Sequence, residues 1–483
     1  MKRTITTAAL ALSALAAAAQ DYGESSAVRI DEAGRIHRTE VIPYDTRRDA
    51  EARNREAGGY YLAFSPRQMA AAGDMAVSGA TLDIPYAWTD GVIYLHLENV
   101  GSAYSLWIND RPVAEVEDPA TPAEFAVSPY IRQGANDIRL VLRPSATPQI
   151  NPATPRREAF ANSYLYYQNK RSIRDFEIAL APDSTRRFGV LELAIVAQNA
   201  FNYDEKVTVG YDIYSPQGKL LDFNMREVSI PGRSVDTVRF SPFIYGSYDN
   251  EWKAGGKTPP LYKVMLFTRR DGVYKEYMPL RIGFGRTELE EGRPMRLGRE
   301  LQLVRASYNA AADPETTLTE LKALKAQGKN TVCPDFPQPA WFYELCDRTG
   351  LYVIDRAAID APERRDDRRV GGTPSNDPAL ADEYLERVRA MYYRSRNFTC
   401  VVAYDLGSPS GNGYNMYKAY EWLRSVEPSR PVIYGDATAN GTRTSDPAGP
   451  RADGRNARGP APKRRSVKEA GASSPPDTQN GKP

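Results

Sequence analysis

The apolar residues of this chain change period once, at "RIGFGR" (residues 281–286), and that change limits the fold more than any single motif does. Upstream, apolar and polar residues alternate in short runs closed by turn residues. Downstream, short apolar runs alternate with longer stretches of helical period. A chain with this order is expected to build antiparallel sheets first and a parallel β/α unit after them.

Between about residues 60 and 180 the runs "GVIYLHLENV", "SAYSLWINDRPVAEVE" and "NDIRLVLRP" read as strands, with Asn109-Asp110 as a hairpin turn between two of them. Turn signals at this spacing predict a β-sandwich. A second set follows, "LELAIVAQN", "KVTVGYDIYS", "VDTVRFSPF" and "YKVMLFTRR", with turns at Pro216, Gly218 and Asp271-Gly272. It suits a smaller immunoglobulin-like sandwich. After the change of period, five strand-like runs, from "LQLVRAS" to "PVIYG", alternate with four helical ones. Gly328 and Pro428 stop the first and last of these helices. A (β/α)8 TIM barrel needs eight such units in roughly 250 residues, so this part is expected to be an incomplete barrel. The expected fold class is therefore multidomain β plus α/β, with a jelly-roll sandwich at 20–182, an immunoglobulin-like sandwich at 183–285 and a partial barrel at 286–440.

The two ends differ from the middle. "MKRTITTAALALSALAAAAQ" has a basic start, an apolar core and small residues before Gln20. It reads as a signal peptide over 1–19 and predicts a secreted or periplasmic protein. Its apolar core is shorter than the ~20 residues of a membrane span, and no later stretch comes closer. Residues 441–483 hold one Val and no Leu, Ile or aromatic residue, the composition of a disordered tail. The 63 basic and 61 acidic residues leave a net charge of +2, so a nucleic-acid partner is not expected. Cys333, Cys346 and Cys400 form neither a disulfide framework nor a zinc pattern and are expected to be buried thiols. The only histidines, His37 and His96, lie in the N-terminal part, which excludes a Ser-His-Asp triad or a His-rich metal site in the C-terminal half.

The stretch "GVIYLHLENVGSAYSLWINDRPVAEVEDPATPAEFAVSPYIRQGANDIRLVL" resembles the sugar-binding jelly roll of glycoside hydrolase family 2, and "SIRDFEIAL" resembles the segment that closes that domain. "PPLYKVML" and "RIGFGR" are similar to the end of the family's immunoglobulin-like domain. "WFYELCDRTGLYVID" and the run from "RSRNFTCVVAYDLGSPSGNG" to "SRPVIYG" are similar to its barrel. The resemblance is to the β-galactosidase-type members and implies a carbohydrate partner, for which a β-galactoside is the expectation, and no cofactor.

The family's chemistry needs two carboxylates flanking the glycosidic bond, about 5 Å apart in retaining enzymes. The resemblance places the general acid/base at Pro409, in Leu406-Gly407-Ser408-Pro409, where the family has Leu-Gly-Asn-Glu. Proline can neither give nor take a proton. Gly407, Gly411 and Gly413 still frame the loop. The family's nucleophile belongs to a seventh strand, and the βα pattern here ends after the fifth. Other site segments also depart from the family, at Ser307, Tyr308, Asn309 and Ala310, at Asp335, and at Asp355-Arg356-Ala357-Ala358. The resemblance thus implies that neither catalytic carboxylate is retained. Asp355 and Asp405, at or near strand ends, are the candidate substitutes; Asp436 reads as a turn or cap residue. Tyr164, Tyr166 and Tyr167, in the polar and expectedly looped "NSYLYYQN", are candidate sugar-stacking residues, with Ser408 and Asn412 as further binding candidates and no metal ligand. Trp107, Trp341 and Trp422 are expected to pack in cores. An open barrel exposes its first and fifth strands, so either a partner chain, as in an oligomer, covers those edges or the product is a truncated, poorly stable remnant.

Overall fold

A computed structural model describes residues 30–436 except 32, 41, 57, 73–74, 155–159, 257 and 368. The expected signal peptide and tail lie outside the described residues. No helix among those described is long and apolar enough to cross a membrane.

The first sandwich has strands β1 (Tyr61–Ala63), β2 (Arg67–Ala72), β3 (Met75–Ile84), β4 (Val92–Leu97), β5 (Ala103–Ile108), β6 (Arg111–Val116), β7 (Ala123–Ala126), β8 (Gly134–Arg143) and β9 (Tyr164–Gln168). They form two sheets, β1-β9-β4-β7 and β2-β3-β8-β5-β6. Asn109 and Asp110 both take positive φ, 50° and 61°, so the expected hairpin turn joins β5 to β6. Strand alternation sends Ile93, Leu95 and Leu97 of β4 inward against Leu106, Ile108, Ile138 and Leu140. Tyr94 and His96 face the other way, with Tyr164 and Tyr166 of β9 beside them, and these too are buried. Both faces of this sheet are thus covered, and so β4 reads as a nearly unbroken apolar run.

The cover on the outer face is an N-terminal arm, residues 30–60, which carries one short helix, α1 (Arg47–Ala52), capped by Thr46. Ile36 N–H donates to Glu124 O at 2.8 Å. Arg38 is 3 % exposed; its Nε donates to Glu124 Oε1 at 2.8 Å, and its two terminal nitrogens donate to Tyr166 Oη and Arg174 O.

The second sandwich uses β10 (Arg171–Pro182), β11 (Gly189–Asn199), β12 (Glu205–Tyr214), β13 (Leu220–Ile230), β14 (Ser234–Phe240), β15 (Phe243–Ile244), β16 (Tyr262–Arg270) and β17 (Val273–Ile282). Its sheets are β10-β11-β14, with β15 also on β11, and β13-β12-β16-β17. One boundary differs from the expectation: residues 171–182 do not close the first sandwich. They form a long hairpin with β11, paired from Arg171↔Asn199 to Pro182↔Gly189, and Ile173, Phe176, Ile178 and Leu180 fill the second core.

A three-stranded sheet, β18 (Thr287–Glu290), β19 (Arg293–Arg296) and β20 (Arg299–Glu300), precedes the β/α part. There β21 (Arg305–Ser307), β22 (Thr331–Cys333), β23 (Tyr352–Arg356), β24 (Val401–Asp405) and β25 (Val432–Ile433) form one parallel sheet in chain order. Between them come α2 (Pro314–Ala326), α3 (Ala340–Thr349), α4 (Ala381–Ser395) and α5 (Tyr414–Val426). Asp313 caps α2, and Gly350, at φ 73°, ends α3. The five strands and four helices match the sequence pattern, although the two edge strands are shorter than their apolar runs.

Trp252, from the second sandwich, is fully buried in the β/α core and donates from Nε1 to Asp347 O at 2.8 Å. Gly283 lets it approach: a Cβ there would lie 2.4 Å from the Trp252 Cβ.

Arg38→Ala would leave the buried Glu124 carboxylate without its cationic partner, with only the Tyr166 hydroxyl still donating to its side chain. The expected loss is about 3 kcal/mol or more in denaturant unfolding. Arg38→Met with Glu124→Gln should recover most of that loss.

Candidate functional site

The candidate site lies where β23 and β24 end and the loop Tyr404–Gly413 begins. Parallel register sets which side chains meet there. Ile354 pairs with Ala403, Asp355 with Tyr404, and Arg356 with Asp405. Ile354, Ala403 and Ile433 pack with Cys333 and Leu303 on the face away from the helices. Val353, Val402, Tyr404 and Val432 join the helix-facing core.

Asp355 therefore points at the helices. It is fully buried, and its Oδ1 accepts from Tyr343 Oη at 2.8 Å and from Arg356 N at 3.2 Å. Burial, opposed by hydrogen bonds from Ser395 and Tyr343, raises its pKa to about 6. Asp405 is on the opposite face. Its Oδ2 meets Arg356 Nε at 3.0 Å, and Arg356 Nη1 meets Asp335 Oδ1 at 3.2 Å. Burial raises the Asp405 pKa and the Arg356 guanidinium opposes that rise. The two candidate substitutes thus cannot act as a pair across one bond: consecutive residues of a strand point to opposite faces, and these two sit in registered rows of opposite parity. The residues that do meet on the open face are Arg356, Asp335 and Asp405, joined by Asn309, whose Nδ2 donates to Asp335 Oδ2 at 2.9 Å. This arrangement is a cation held between two carboxylates. Sequence reading named Asp335 and Arg356 only as departures from a motif; the alternation that makes Arg356 the partner of Asp405 was present in "YVIDR" and "VVAYD".

The loop itself is fixed at almost every residue. Leu406 N–H donates to Ile433 O at 3.1 Å, and Ser408 N–H donates to Ile359 O at 2.8 Å. Ser410 N–H reaches Tyr434 Oη at 3.0 Å, whose own hydroxyl donates to Gly411 O at 2.7 Å. Gly411 N–H donates to Asp436 Oδ2 at 2.9 Å, and Arg365 holds the other oxygen of Asp436 at 2.9 Å. Gly407 takes φ 145°, and a Cβ there would lie 2.9 Å from Ile359 O. On this rigid frame Pro409 is exposed and Ser408 half-buried, whereas Asn412 is only 5 % exposed. Of the two proposed binding residues in the loop, Ser408 alone keeps appreciable access.

The tyrosines differ most from expectation. Tyr164, Tyr166 and Tyr167 are not in a loop; they lie in β9, with exposures of 0, 0 and 7 %. Tyr164 Oη donates to Glu40 at 2.6 Å and Tyr166 Oη donates to Glu124 at 2.8 Å. The polar neighbours Asn162, Ser163, Gln168 and Asn169 gave the segment its loop-like composition, but the N-terminal arm buries the outward tyrosines. Cys346 and Cys400 are buried and Cys333 is half-buried, all three as free thiols.

This architecture, two β-sandwiches followed by a parallel β/α sheet whose strand ends carry a charged cluster, defines a multidomain β plus α/β protein. Comparison with known proteins gives the family. The description "Glycosyl hydrolases family 2, sugar binding domain" matches residues 51–152, and "Glycosyl hydrolases family 2, TIM barrel domain" matches residues 309–446. A β-galactosidase of Vibrio cholerae serotype O1 is 27 % identical over 368 residues, which cover 73 % of this chain and 35 % of the relative. A family 2 glycosyl hydrolase from Bacteroides cellulosilyticus superposes with a TM-score of 0.62 at 17 % identity, over 76 % of this chain and 50 % of that one. The β-glucuronidase of Bacteroides uniformis does so with a TM-score of 0.61 at 15 % identity, over 75 % and 46 %. The chain belongs to glycosyl hydrolase family 2 and is β-galactosidase-like. It spans about a third of the length of the curated relative.

The buried Asp355 carboxyl gives a pH-dependent prediction. An unfolded aspartate titrates at ~3.9, and in the folded chain the value is about 6. Below the lower value both states hold the proton and nothing is lost. As pH rises between the two values the folded state loses stability, and above the upper value the loss is complete. Asp355→Asn should therefore stabilise the protein at pH 7 by up to about 2–3 kcal/mol and flatten the stability profile between ~4 and 6. Denaturant unfolding across that range measures both.

Proposed function

We propose that this protein is an exported, carbohydrate-directed member of family 2 in which hydrolysis is impaired. One observation carries the reading: on a loop anchored to three neighbouring segments, the position that should hold the proton donor is Pro409, and the carboxylate at the end of the preceding strand, Asp405, is held by Arg356. Proline has no titratable group, and a carboxylate bonded to a guanidinium is poorly placed to attack an anomeric carbon. The sugar chemistry it would meet is that of a β-galactoside, in keeping with the similarity to the Vibrio β-galactosidase.

The test is release of 4-nitrophenol from 4-nitrophenyl β-galactoside by the purified full chain. The expected rate equals that of buffer, unchanged in Asp405→Asn and Asp335→Asn. Turnover that either substitution abolishes would instead support an active O-glycosyl hydrolase with rearranged carboxylates. A second reading, a glycan-binding module without turnover, is favoured by the match of residues 51–152 to the family's sugar binding domain. It predicts saturable retention on a galactoside array.

The signal-like N-terminus supports export to the periplasm or medium, and an N-terminus beginning near Gln20 in the exported protein would bear this out. Among the described residues β21 and β25 each pair on one side only, so a further strand, from another chain or another copy, is proposed to cover those edges.

A further inference from the structure

The junction between the N-terminal arm and the first sandwich holds a second charged group. Carboxylate oxygens of Glu40 and Glu98 and a ring nitrogen of His96 lie within 4.8 Å of one another. His96 and Glu98 are each 1 % exposed, and His96 Nε2 is 3.1 Å from Glu98 Oε1. The side chains are oriented by their surroundings. The His96 ring stacks on Tyr164 at 4.8 Å between centroids, and Tyr164 Oη donates to Glu40 Oε1 at 2.6 Å. Ser163 Oγ accepts from Glu98 N at 2.9 Å. Three atoms are nevertheless left sealed from solvent without a hydrogen-bond partner: Glu40 Oε2, Glu98 Oε2 and His96 Nδ1. An unsatisfied buried carboxylate oxygen is costly, and each such group calls for a partner.

We propose that Glu40, His96 and Glu98 form a site for one divalent transition-metal ion of the Zn2+ class, which fastens the N-terminal arm to the first sandwich. The donor set of one imidazole and two carboxylates is of the kind such ions take. Tetrahedral bonds of about 2.0–2.2 Å place ligand atoms roughly 3.4 Å apart. The His96–Glu98 spacing is already close to this, so coordination asks for carboxylate shifts of about 1 Å. The ion would supply the partner that Glu40 Oε2 and Glu98 Oε2 lack. Arg394 and Arg55 also act on the group electrostatically and offset part of the charge of the two carboxylates, so the ion competes with them.

A second trio, Asp31, His37 and Glu386, has similar spacing, but guanidinium groups already hold both its carboxylates, and only His37 Nε2 is left without a hydrogen-bond partner. Arg35 Nε sits 2.6 Å from Asp31 Oδ2, and Arg389 pairs with Glu386. It serves as the internal control.

The experiment treats the full chain with chelator, adds Zn2+, removes excess by gel filtration and counts retained metal by mass spectrometry. The expected result is one ion per chain and a melting temperature raised by roughly 2–4 °C. His96→Gln and Glu98→Gln should lose the ion, and His37→Gln should keep it. Because either site variant could misfold, Co2+ loaded into the unsubstituted chain gives a second readout, the visible absorption of a four-coordinate N/O site. No retained ion and no shift in melting would overturn the proposal and leave a protonated His96 holding both carboxylates. Retention in His96→Gln but not in His37→Gln would overturn it as well, in favour of the other trio.

Discussion

The outer face of the sheet β1-β9-β4-β7 is the constraint on which the rest of the molecule depends. It carries Tyr94, His96, Tyr164 and Tyr166, whose polar atoms need partners once water is excluded. Arg38 ties this face to its surroundings, since its guanidinium lies over the Tyr94 ring and touches Tyr166, Glu124 and the backbone of Arg174 in the second sandwich. A lysine could not serve the same three acceptors, because the planar fork fixes its donors in divergent directions. Around this point Thr39 donates to Tyr393 O at 3.1 Å and accepts from Asn397 at 2.8 Å, so one short arm touches every major layer.

Strand parity governs the barrel end in the same way that burial governs the arm. Once β23 and β24 pair with Ile354 beside Ala403, the faces of Asp355 and Asp405 are decided. One carboxylate becomes a buried acid facing tyrosine, the other an ion-pair partner. Neither outcome depends on what the ancestral site did. The loop after β24 is held with Gly407 close against Ile359, and its exposed tip is Pro409.

Much of the fold was legible in the sequence because period is local information. "VVAYD" and "ALADEYLERVRAMYYRS" announce a strand and a helix through spacing alone, and Asn109-Asp110 announces its hairpin through φ preference. What could not be read was set by distant contacts. "NSYLYYQN" looks like a loop until the arm is laid over it, and "SIRDFEIAL" could close either sandwich until its hairpin with β11 is seen. The alternation in "YVIDR" sets the face of Arg356, but its pairing with Asp405 follows only once the register with the neighbouring strand is known. The Glu40, His96 and Glu98 group was invisible for a similar reason: its members are 56 and 58 residues apart and join only across the arm.

The arm's bonds to α4 and the residues just after it have a bearing on the order of assembly. Thr39 and Tyr393 are separated by 354 positions, so the arm's bond to the β/α part can close only once that part exists, whereas its bonds to Glu124 and Tyr166 need the first sandwich alone. Bringing such remote positions together is slow and entropically opposed. The arm's bonds to the β/α part therefore belong to the long-range closures that follow the local hairpins of the sandwiches, and they stitch the two ends of the described chain together.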